Sequence, residues 1–134
     1  MLLIKTKLGP SKIHGIGLFA DEFIPKGTIV WKFVSGFDLK FTEAEIKNFP
    51  EVTQEFFRYY AYRSIRTGLY ILCSDESRHC NHSESPNTTG IEIEGTEEEG
   101  GDIATQDIQI GEEITYNYKD PKEGDVDWQW KLSH

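Results

Sequence analysis

The sequence is poor in cysteine, in basic charge and in long apolar runs. Its two cysteines, Cys73 and Cys80, are too few for a disulfide framework and fit a reducing compartment. Its 14 basic residues are outnumbered by 23 acidic ones, and the net charge of -9 argues against nucleic acid binding. No apolar run is long enough to cross a bilayer, and the start MLLIKTKLG lacks the features of a secretory signal. We therefore expect a soluble cytoplasmic protein, or a nuclear one in a eukaryote, that binds neither nucleic acid nor membranes.

What is present suits one globular domain. A chain of 134 residues with 37% hydrophobic and 13% aromatic residues can bury one core without covalent cross-links. The sequence shows no repeats and no low-complexity tract. We expect a single domain over residues 1–134, with a core of approximately 1–120 and a C-terminal flank of 121–134. Its acidity would attract a basic partner at long range.

Short apolar runs, rich in β-branched and aromatic residues, lie between turn signals in two parts of the chain, and this pattern predicts strands. In the first third the predicted strands are GLFA, FIPKG and TIVWKFVS, and from Tyr70 onward they are YILCS, GIEIE and DIAT. The acidic EGTEEEGGD predicts a hairpin loop between the last two. A further short strand is expected in EEITYNY, before a linker and two tryptophans.

The segment FTEAEIKNFPEVTQEFFRYYAY, between these two groups of strands, predicts two short helices. Thr42 and Glu45 form a capping box, and Pro50 ends the first helix. The whole pattern is that of a small β-rich domain with a short helical insert.

Two stretches contain residues that could carry chemistry. The two glycines of HGIG, residues 14–17, mark a turn in which missing side chains let backbone groups approach a ligand closely. This stretch lacks the third glycine and the following helix of a dinucleotide-binding loop. The second stretch is RHCNHSESPNTTG, residues 78–90, which fits a metal site, a self-bonded polar loop or an active-site wall.

The metal hypothesis rests on four candidate zinc ligands within ten positions: Cys73, His79, Cys80 and His82. The adjacent His79 and Cys80 would point to opposite sides of an extended chain, so we expect no metal. Taken alone, residues 78–90 are best explained as a loop whose Asn and Ser side chains bond their own backbone ahead of a turn.

Three motifs in order, KIHGIGLFA, RHCNHSESPNT and IATQDIQIGEEITYNY, resemble the SET-domain protein lysine methyltransferases. The family's Gly-x-Gly-Leu-Phe turn matches residues 15–19, and its Arg-Phe-Ile-Asn-His-Ser-Cys-x-Pro-Asn signature matches residues 78–87. Its Gly-Glu-Glu-Leu-Thr-Tyr-Asp-Tyr signature matches residues 111–118. The cysteine of the second signature is Glu84 here, so the zinc site that this cysteine helps to form in some relatives is not expected.

The resemblance implies a mainly β fold of the β-clip-like SET type. Such a fold has several small curved sheets, a short helical insert and a C-terminal pseudoknot, in which a late strand is threaded through a loop of earlier chain. It also implies transfer of a methyl group from S-adenosylmethionine to the ε-amine of a lysine in a basic protein or peptide, such as a histone-like segment. An inactive module that binds lysine peptides or the cofactor is the alternative.

The same resemblance assigns roles to individual residues. Tyr118 is the expected catalytic residue. The expected cofactor-binding residues are His14, Gly15, Ile16, Gly17, Tyr60, Asn81, His82 and Trp128, and the expected substrate channel is lined by Tyr60, Tyr116, Tyr118 and Trp130. Tyr60 is matched to a family strand in which Tyr62 takes an apolar position. Simple core packing explains these two tyrosines and the two tryptophans equally well.

Tyr116 carries an expectation about the product. In the family this position is a tyrosine or phenylalanine that faces the lysine channel. A tyrosine hydroxyl there can hold the amine or an ordered water, and so fill the space that a methylated amine needs. We therefore expect mainly mono-methylation, unless Tyr116 merely packs with its hydroxyl reaching solvent.

Overall fold

A computed structural model describes residues 1–64, 66–118 and 126–127. Most of its regular elements are short strands. The strands are β1 (Thr6–Pro10), β2 (Ile16–Ala20), β3 (Ile29–Lys32), β4 (Leu39–Phe41), β5 (Tyr62–Ser64), β6 (Tyr70–Leu72), β7 (Asn81–His82), β8 (Thr88–Ile91), β9 (Gly101–Ala104), β10 (Thr115–Tyr116) and β11 (Val126–Asp127). The helices are α1 (Glu43–Lys47), α2 (Glu51–Tyr60) and a 3₁₀ helix (Glu76–His79).

These strands form small separate sheets rather than one large one. In the described residues β1 pairs with β2, β10 pairs with β7, a three-stranded sheet has the order β3-β9-β8, and a four-stranded sheet has the order β11-β5-β6-β4. All pairings are antiparallel except that of β10 with β7. The mainly β architecture with several small sheets is therefore confirmed. Among the described helices, none is both long and apolar enough to cross a membrane.

The strand predictions succeed where a ladder partner exists. GLFA, YILCS and DIAT coincide with β2, β6 and β9. The first seven residues of EGTEEEGGD lie in the loop that joins β8 to β9, and its last two belong to β9. The prediction for FIPKG is wrong, because only Ile24 makes an isolated bridge, to Ile108, before Pro25 and Gly27 turn the chain. The strand predicted for TIVWKFVS is too long, since β3 covers only Ile29–Lys32. The strand predicted for GIEIE lies too late in the chain, since β8 covers Thr88–Ile91. Both ladders with β9 end opposite Gly101.

The helical insert forms as predicted. Thr42 Oγ1 accepts from the Glu45 amide at 3.1 Å, and Glu45 Oε1 accepts from the Thr42 amide at 2.9 Å, so the capping box is complete. Pro50 caps the start of α2. One prediction here is wrong: Tyr60 is the last residue of α2 and not part of a strand, because the helix continues through RYY before the chain turns extended at Ala61.

Two apolar clusters hold these elements together. The smaller one packs Phe57 and Ala61 against Leu72, and the Phe57 ring stacks on Phe49 with centroids 5.6 Å apart. This cluster fixes the end of α2 and hence the position of Tyr60. The larger cluster joins β2, β3, β6 and β9, and its buried members are Leu18, Ala20, Ile24, Val30, Trp31, Phe33, Ile71, Cys73, Ala104, Ile108 and Ile114.

The strand β10 is bracketed by the segment that begins at β7 and ends at β8. Its backbone pairs in parallel with Asn81 and His82, and the Ser83 amide donates to the Tyr116 carbonyl at 3.0 Å. The side chains of Asn87 and Thr88 then bond the same strand from the far end of the segment. The late strand β10 is therefore held by an earlier segment of the chain, as the resemblance implied.

Asn87 makes the most complete contribution to this bracket. It is 6% exposed, its Nδ2 donates to the Glu113 carbonyl at 2.8 Å, and its Oδ1 accepts from the Thr115 amide at 2.9 Å. The Thr88 hydroxyl donates to the Thr115 carbonyl at 2.7 Å. One buried side-chain amide therefore satisfies both a donor and an acceptor of the incoming chain.

We predict that Asn87→Ala lowers the free energy of unfolding by about 2–4 kcal/mol, because it leaves a buried N–H and a buried C=O without partners. Urea unfolding followed by circular dichroism measures this change. Gln106→Ala, which truncates an exposed amide in a turn, is the control and is expected to alter stability by less than about 0.5 kcal/mol. Equal effects of the two substitutions would contradict the role given to Asn87.

Candidate active site

The turn between β1 and β2 is built by its own polar groups. The Ser11 amide donates to the Gly15 carbonyl at 2.8 Å, and Ser11 Oγ accepts from the amides of Ile13 at 2.9 Å and His14 at 3.3 Å. Gly15 has a φ of 46°, in the left-handed region that glycine adopts without a steric penalty. An added Cβ at Gly15 would meet no protein atom within 4 Å. The turn therefore presents bare backbone to the space beside it.

That space is a cavity of about 630 Å³. It lies between the β1–β2 turn, the end of α2 and β7, and we call it the large cavity. The residues that line it are Ile13, His14, Gly15, Ile16, Arg58, Tyr59, Tyr60, Arg78, His79, Cys80, Asn81, His82 and Tyr118. Every predicted cofactor-binding residue is among them except Gly17 and Trp128. Trp128 lies outside the described residues, and Gly17 faces away, where an added Cβ would come within 2.5 Å of Glu113 Oε2.

The side chain of Asn81 is committed to the protein itself. Its Nδ2 lies 3.1 Å from the His14 carbonyl, 3.2 Å from the Ile16 carbonyl and 3.0 Å from Glu113 Oε2. The cofactor contact that the resemblance implies for Asn81 therefore has to come from its backbone or its Oδ1. The amide donors instead tie β7 to the turn.

The imidazole of His82 supports Tyr118. Its Nδ1 accepts a hydrogen bond from the Tyr118 amide at 3.0 Å, and the two rings lie 5.3 Å apart. An acceptor at Nδ1 requires the neutral ring to carry its proton on Nε2. His82 thus fixes the backbone of the residue expected to be catalytic.

Tyr118 is held as a neutral hydroxyl. Its O–H donates to the Cys80 carbonyl. Burial, followed by the charges of Cys80 and Glu113, raises the pKa of Tyr118 far above its ordinary value. The phenol consequently remains protonated at physiological pH, and it can orient a ligand but cannot take up a proton as a base.

A second, narrow cavity of about 90 Å³ adjoins this tyrosine. It has Tyr60, Tyr62, Tyr116 and Tyr118 among its walls, and Tyr116 is 9% exposed. The two cavities share the lining residues Tyr60, Arg78, Cys80 and Tyr118. Three of the four predicted channel residues are therefore brought together, and the fourth, Trp130, lies outside the described residues.

Sequence reasoning assigned no role to two residues of this region. The Arg78 guanidinium lies 5.7 Å from the Phe56 ring centroid and 5.4 Å from that of Tyr60, and it lines both cavities. Its place at the start of a matched signature was the available signal. Glu113, the second Glu of GEE, accepts from Ser11 and Asn81, and nothing local in the sequence distinguishes it from Glu112. In the described part of the chain, no three His, Cys, Asp or Glu residues are grouped to hold a metal ion.

The SET domain family profile matches residues 15–119, which include the three matched signatures at residues 15–19, 78–87 and 111–118. The chain belongs to the SET domain family. A histone-lysine N-methyltransferase, H3 lysine-4 specific, of Schizosaccharomyces pombe is 34% identical over 122 residues, which cover 87% of this chain but only 13% of that protein.

Solved structures share the fold. A humanized mutant of the Chaetomium thermophilum Polycomb Repressive Complex 2, bound to an inhibitor, is 25% identical with a TM-score of 0.62, covering 87% of this chain and 15% of that one. A Plasmodium falciparum protein, named only provisionally as a histone methyltransferase, is 21% identical with a TM-score of 0.56, covering 87% and 95%. At that identity the second likeness shows the fold alone.

Cys73, in the wall of the narrow cavity, gives a testable pH dependence. Burial, and after it the charge of Asp38, raises the pKa of its thiol from 9.0 to about 12. The folded protein therefore keeps this proton above pH 9 while the unfolded chain releases it. The contribution of this thiol to the free energy of unfolding is fully present below pH 9. It falls by about 1.4 kcal/mol for each pH unit between about 9 and about 12.

We predict that urea midpoints fall as the pH rises from 9 to 11, and that Cys73→Ala makes this fall shallower by about the amount due to one thiol. The comparison of slopes isolates the thiol from lysines and tyrosines that titrate in the same range. Parallel slopes for the native protein and the variant would show that Cys73 is not protected.

Proposed function

We propose that this chain is a protein-lysine N-methyltransferase that uses S-adenosylmethionine. The observation that carries the proposal is the junction of two cavities of different size at Tyr118. One is large enough for a nucleoside cofactor, and the other is narrow and aromatic. A transferase needs such a junction because two substrates must meet at one point.

The large cavity suits S-adenosylmethionine in size and chemistry. Its volume of about 630 Å³ lies in the range of sites that enclose ligands of this size. The exposed backbone of His14–Ile16 offers N–H and C=O groups, and the rings of Tyr59 and Tyr60 offer apolar faces to a base. When bound, the cofactor supplies an electrophilic methyl group on a sulfonium. Cys80, Asn81 and His82 would hold its other side.

The narrow cavity suits a lysine side chain. Its tyrosines provide apolar ring surface for the alkyl stem and hydroxyls near the amine. Removal of the amine from water disfavours its charged form, so burial at this junction favours the neutral nucleophile. Tyr118 stays protonated, and its hydroxyl orients the reacting groups instead of removing a proton.

A basic protein segment is the proposed substrate. The net charge of -9 would attract a cationic partner, and the Schizosaccharomyces pombe relative is named for histone H3 lysine 4. The test is incubation with S-adenosylmethionine carrying a labelled methyl group and a mixture of basic proteins that includes histone H3, followed by mass spectrometry. Cofactor binding without any labelled lysine would instead support the inactive alternative.

Tyr118→Phe is expected to lower kcat by about a hundredfold or more, because it deletes the orienting hydroxyl, and to lower the melting temperature by only a few degrees, because the bond to the Cys80 carbonyl is lost. Steady-state kinetics and thermal melting check the two parts separately. Tyr70→Phe, the same deletion outside both cavities, is the matched control and is expected to retain its turnover. Near-native kcat in the Tyr118 variant would mean that another residue orients the reaction.

The second functional prediction concerns the number of methyl groups. The buried Tyr116 lines the narrow cavity, where its hydroxyl can occupy the space that an already methylated amine needs. We expect mainly mono-methyl-lysine from the native protein and more di- and tri-methyl product from Tyr116→Phe. Mass spectra of a substrate peptide at long reaction times measure the distribution. Abundant trimethyl-lysine from the native protein would rule out this role.

A further inference from the structure

Glu113 lies at a meeting point of three segments although it lines neither cavity. It is partly buried and stands two residues before β10. The Ser11 hydroxyl lies 2.8 Å from its Oε1 and 2.9 Å from its Oε2, and Asn81 Nδ2 donates to Oε2 at 3.0 Å. One carboxylate therefore binds the β1–β2 turn on one side and β7 on the other.

The bond to Ser11 extends into the turn. A serine hydroxyl has one hydrogen to donate and two lone pairs to accept with. Here the hydrogen is directed at Glu113, and the lone pairs receive the amides of Ile13 and His14. The carboxylate thus fixes the rotamer of the hydroxyl that shapes the cavity-facing backbone.

The bond to Asn81 reaches the same backbone from the opposite side. The two hydrogens on Asn81 Nδ2 are shared among three acceptors, namely Glu113 and the carbonyls of His14 and Ile16. The negative charge of Glu113 orients this amide so that its donors, and not its oxygen, face the turn.

Gly17 has a role that its backbone conformation does not explain. An added Cβ would lie 2.5 Å from Glu113 Oε2, 2.8 Å from Cδ of the same residue and 3.0 Å from Ser11 Cβ. The carboxylate of Glu113 therefore occupies the space that a side chain at position 17 would need. Gly17 belongs to the predicted cofactor-binding motif, and this contact explains why it faces away from the cavity.

We propose that Glu113 is a positioning residue that holds the backbone of residues 13–16 in the shape required to bind the cofactor. The proposal rests on the function proposed above. Glu113 also acts on Tyr118: burial, then the charge of Cys80 and then that of Glu113 raise the pKa of Tyr118.

The first test is the substitution Glu113→Gln, which keeps the side-chain length but removes the charge and replaces one acceptor by a donor facing Ser11 or Asn81. Calorimetry with S-adenosylmethionine is expected to show a dissociation constant raised about tenfold or more, since bonds to a charged group are lost. The matched control is Glu112→Gln, whose exposed neighbouring carboxylate accepts only from the Gln109 amide among the contacts that the structure describes. The control is expected to stay within about twofold.

Kinetics separate positioning from general destabilisation. At saturating cofactor, Glu113→Gln is expected to recover most of the native kcat while its KM for the cofactor stays raised. Ser11→Ala, a milder change that cuts the same link, is expected to shift KM in the same direction and serves if Glu113→Gln does not fold. A lower melting temperature with an unchanged KM in both variants would overturn the proposal.

The decisive readout needs no cofactor. Hydrogen exchange of the amides of residues 13–16 in the protein alone is expected to be faster in Glu113→Gln than in the native protein and in Glu112→Gln. Unchanged exchange would overturn the positioning role while leaving the proposed function intact. Faster exchange in a protein that binds no S-adenosylmethionine would overturn the proposed function and limit Glu113 to shaping the turn. Gly17→Ala in the native and Glu113→Ala backgrounds should then give non-additive effects on exchange.

Discussion

The parallel pairing of β10 with β7 is the interaction on which the rest of the site depends. These two-residue strands lie far apart in sequence, and nothing in their length would stabilise an isolated pair. The pairing is stabilised by two buried side chains next to it, because Asn87 and Thr88 form hydrogen bonds with the backbone of residues 113 and 115. Once β10 is seated, Tyr118 stands beside Cys80 and His82, and both cavities acquire a common wall.

A consequence is that the polar groups of the site are largely satisfied by one another before any ligand arrives. Asn81 bonds the turn and Glu113, His82 bonds the Tyr118 amide, and the Tyr118 hydroxyl bonds the Cys80 carbonyl. Such mutual bonding limits the rearrangement required on binding, which is how a site retains binding free energy for orientation. The side chains of Asn81 and His82 support the backbone of the site through these bonds.

The sequence predicted features that depend on neighbours along the chain. The capping box at Thr42 and the two helices follow from the local pattern, and they are present. The same is true of strands that pair with β1 and β9. The local pattern placed Tyr60 in the helical segment, where it lies, whereas the family match placed it on a strand, which is wrong. FIPKG has the composition of a strand, but it has no neighbouring strand with which to form a ladder, and such partners depend on the whole fold.

Most residues of the two cavities were predicted from the motifs, through their resemblance to a known family. The different roles of Glu113 and Glu112 could not be predicted from the sequence, since two adjacent carboxylates differ only in the side of the chain to which they point. The structure shows that Glu113 contacts Ser11 and Asn81, whereas Glu112 contacts Gln109.

The distribution of charge between the two cavities bears on the proposed reaction. Glu99 and Asp102 line the narrow cavity and not the large one, whereas Tyr118 lines both. Glu99 is buried, and its Oε2 accepts a hydrogen bond from Thr67 Oγ1 at 3.2 Å and lies 3.7 Å from Lys40 Nζ. A substrate ammonium in the narrow cavity would meet carboxylates there and a neutral hydroxyl at the junction. The carboxylates would attract the cation and would also favour its charged form, so loss of the proton to water would depend on desolvation of the amine beside the uncharged Tyr118. In the proposed reaction, the carboxylates of the narrow cavity would therefore act on entry of the cation, and the neutral hydroxyl of Tyr118 would act where the amine reacts.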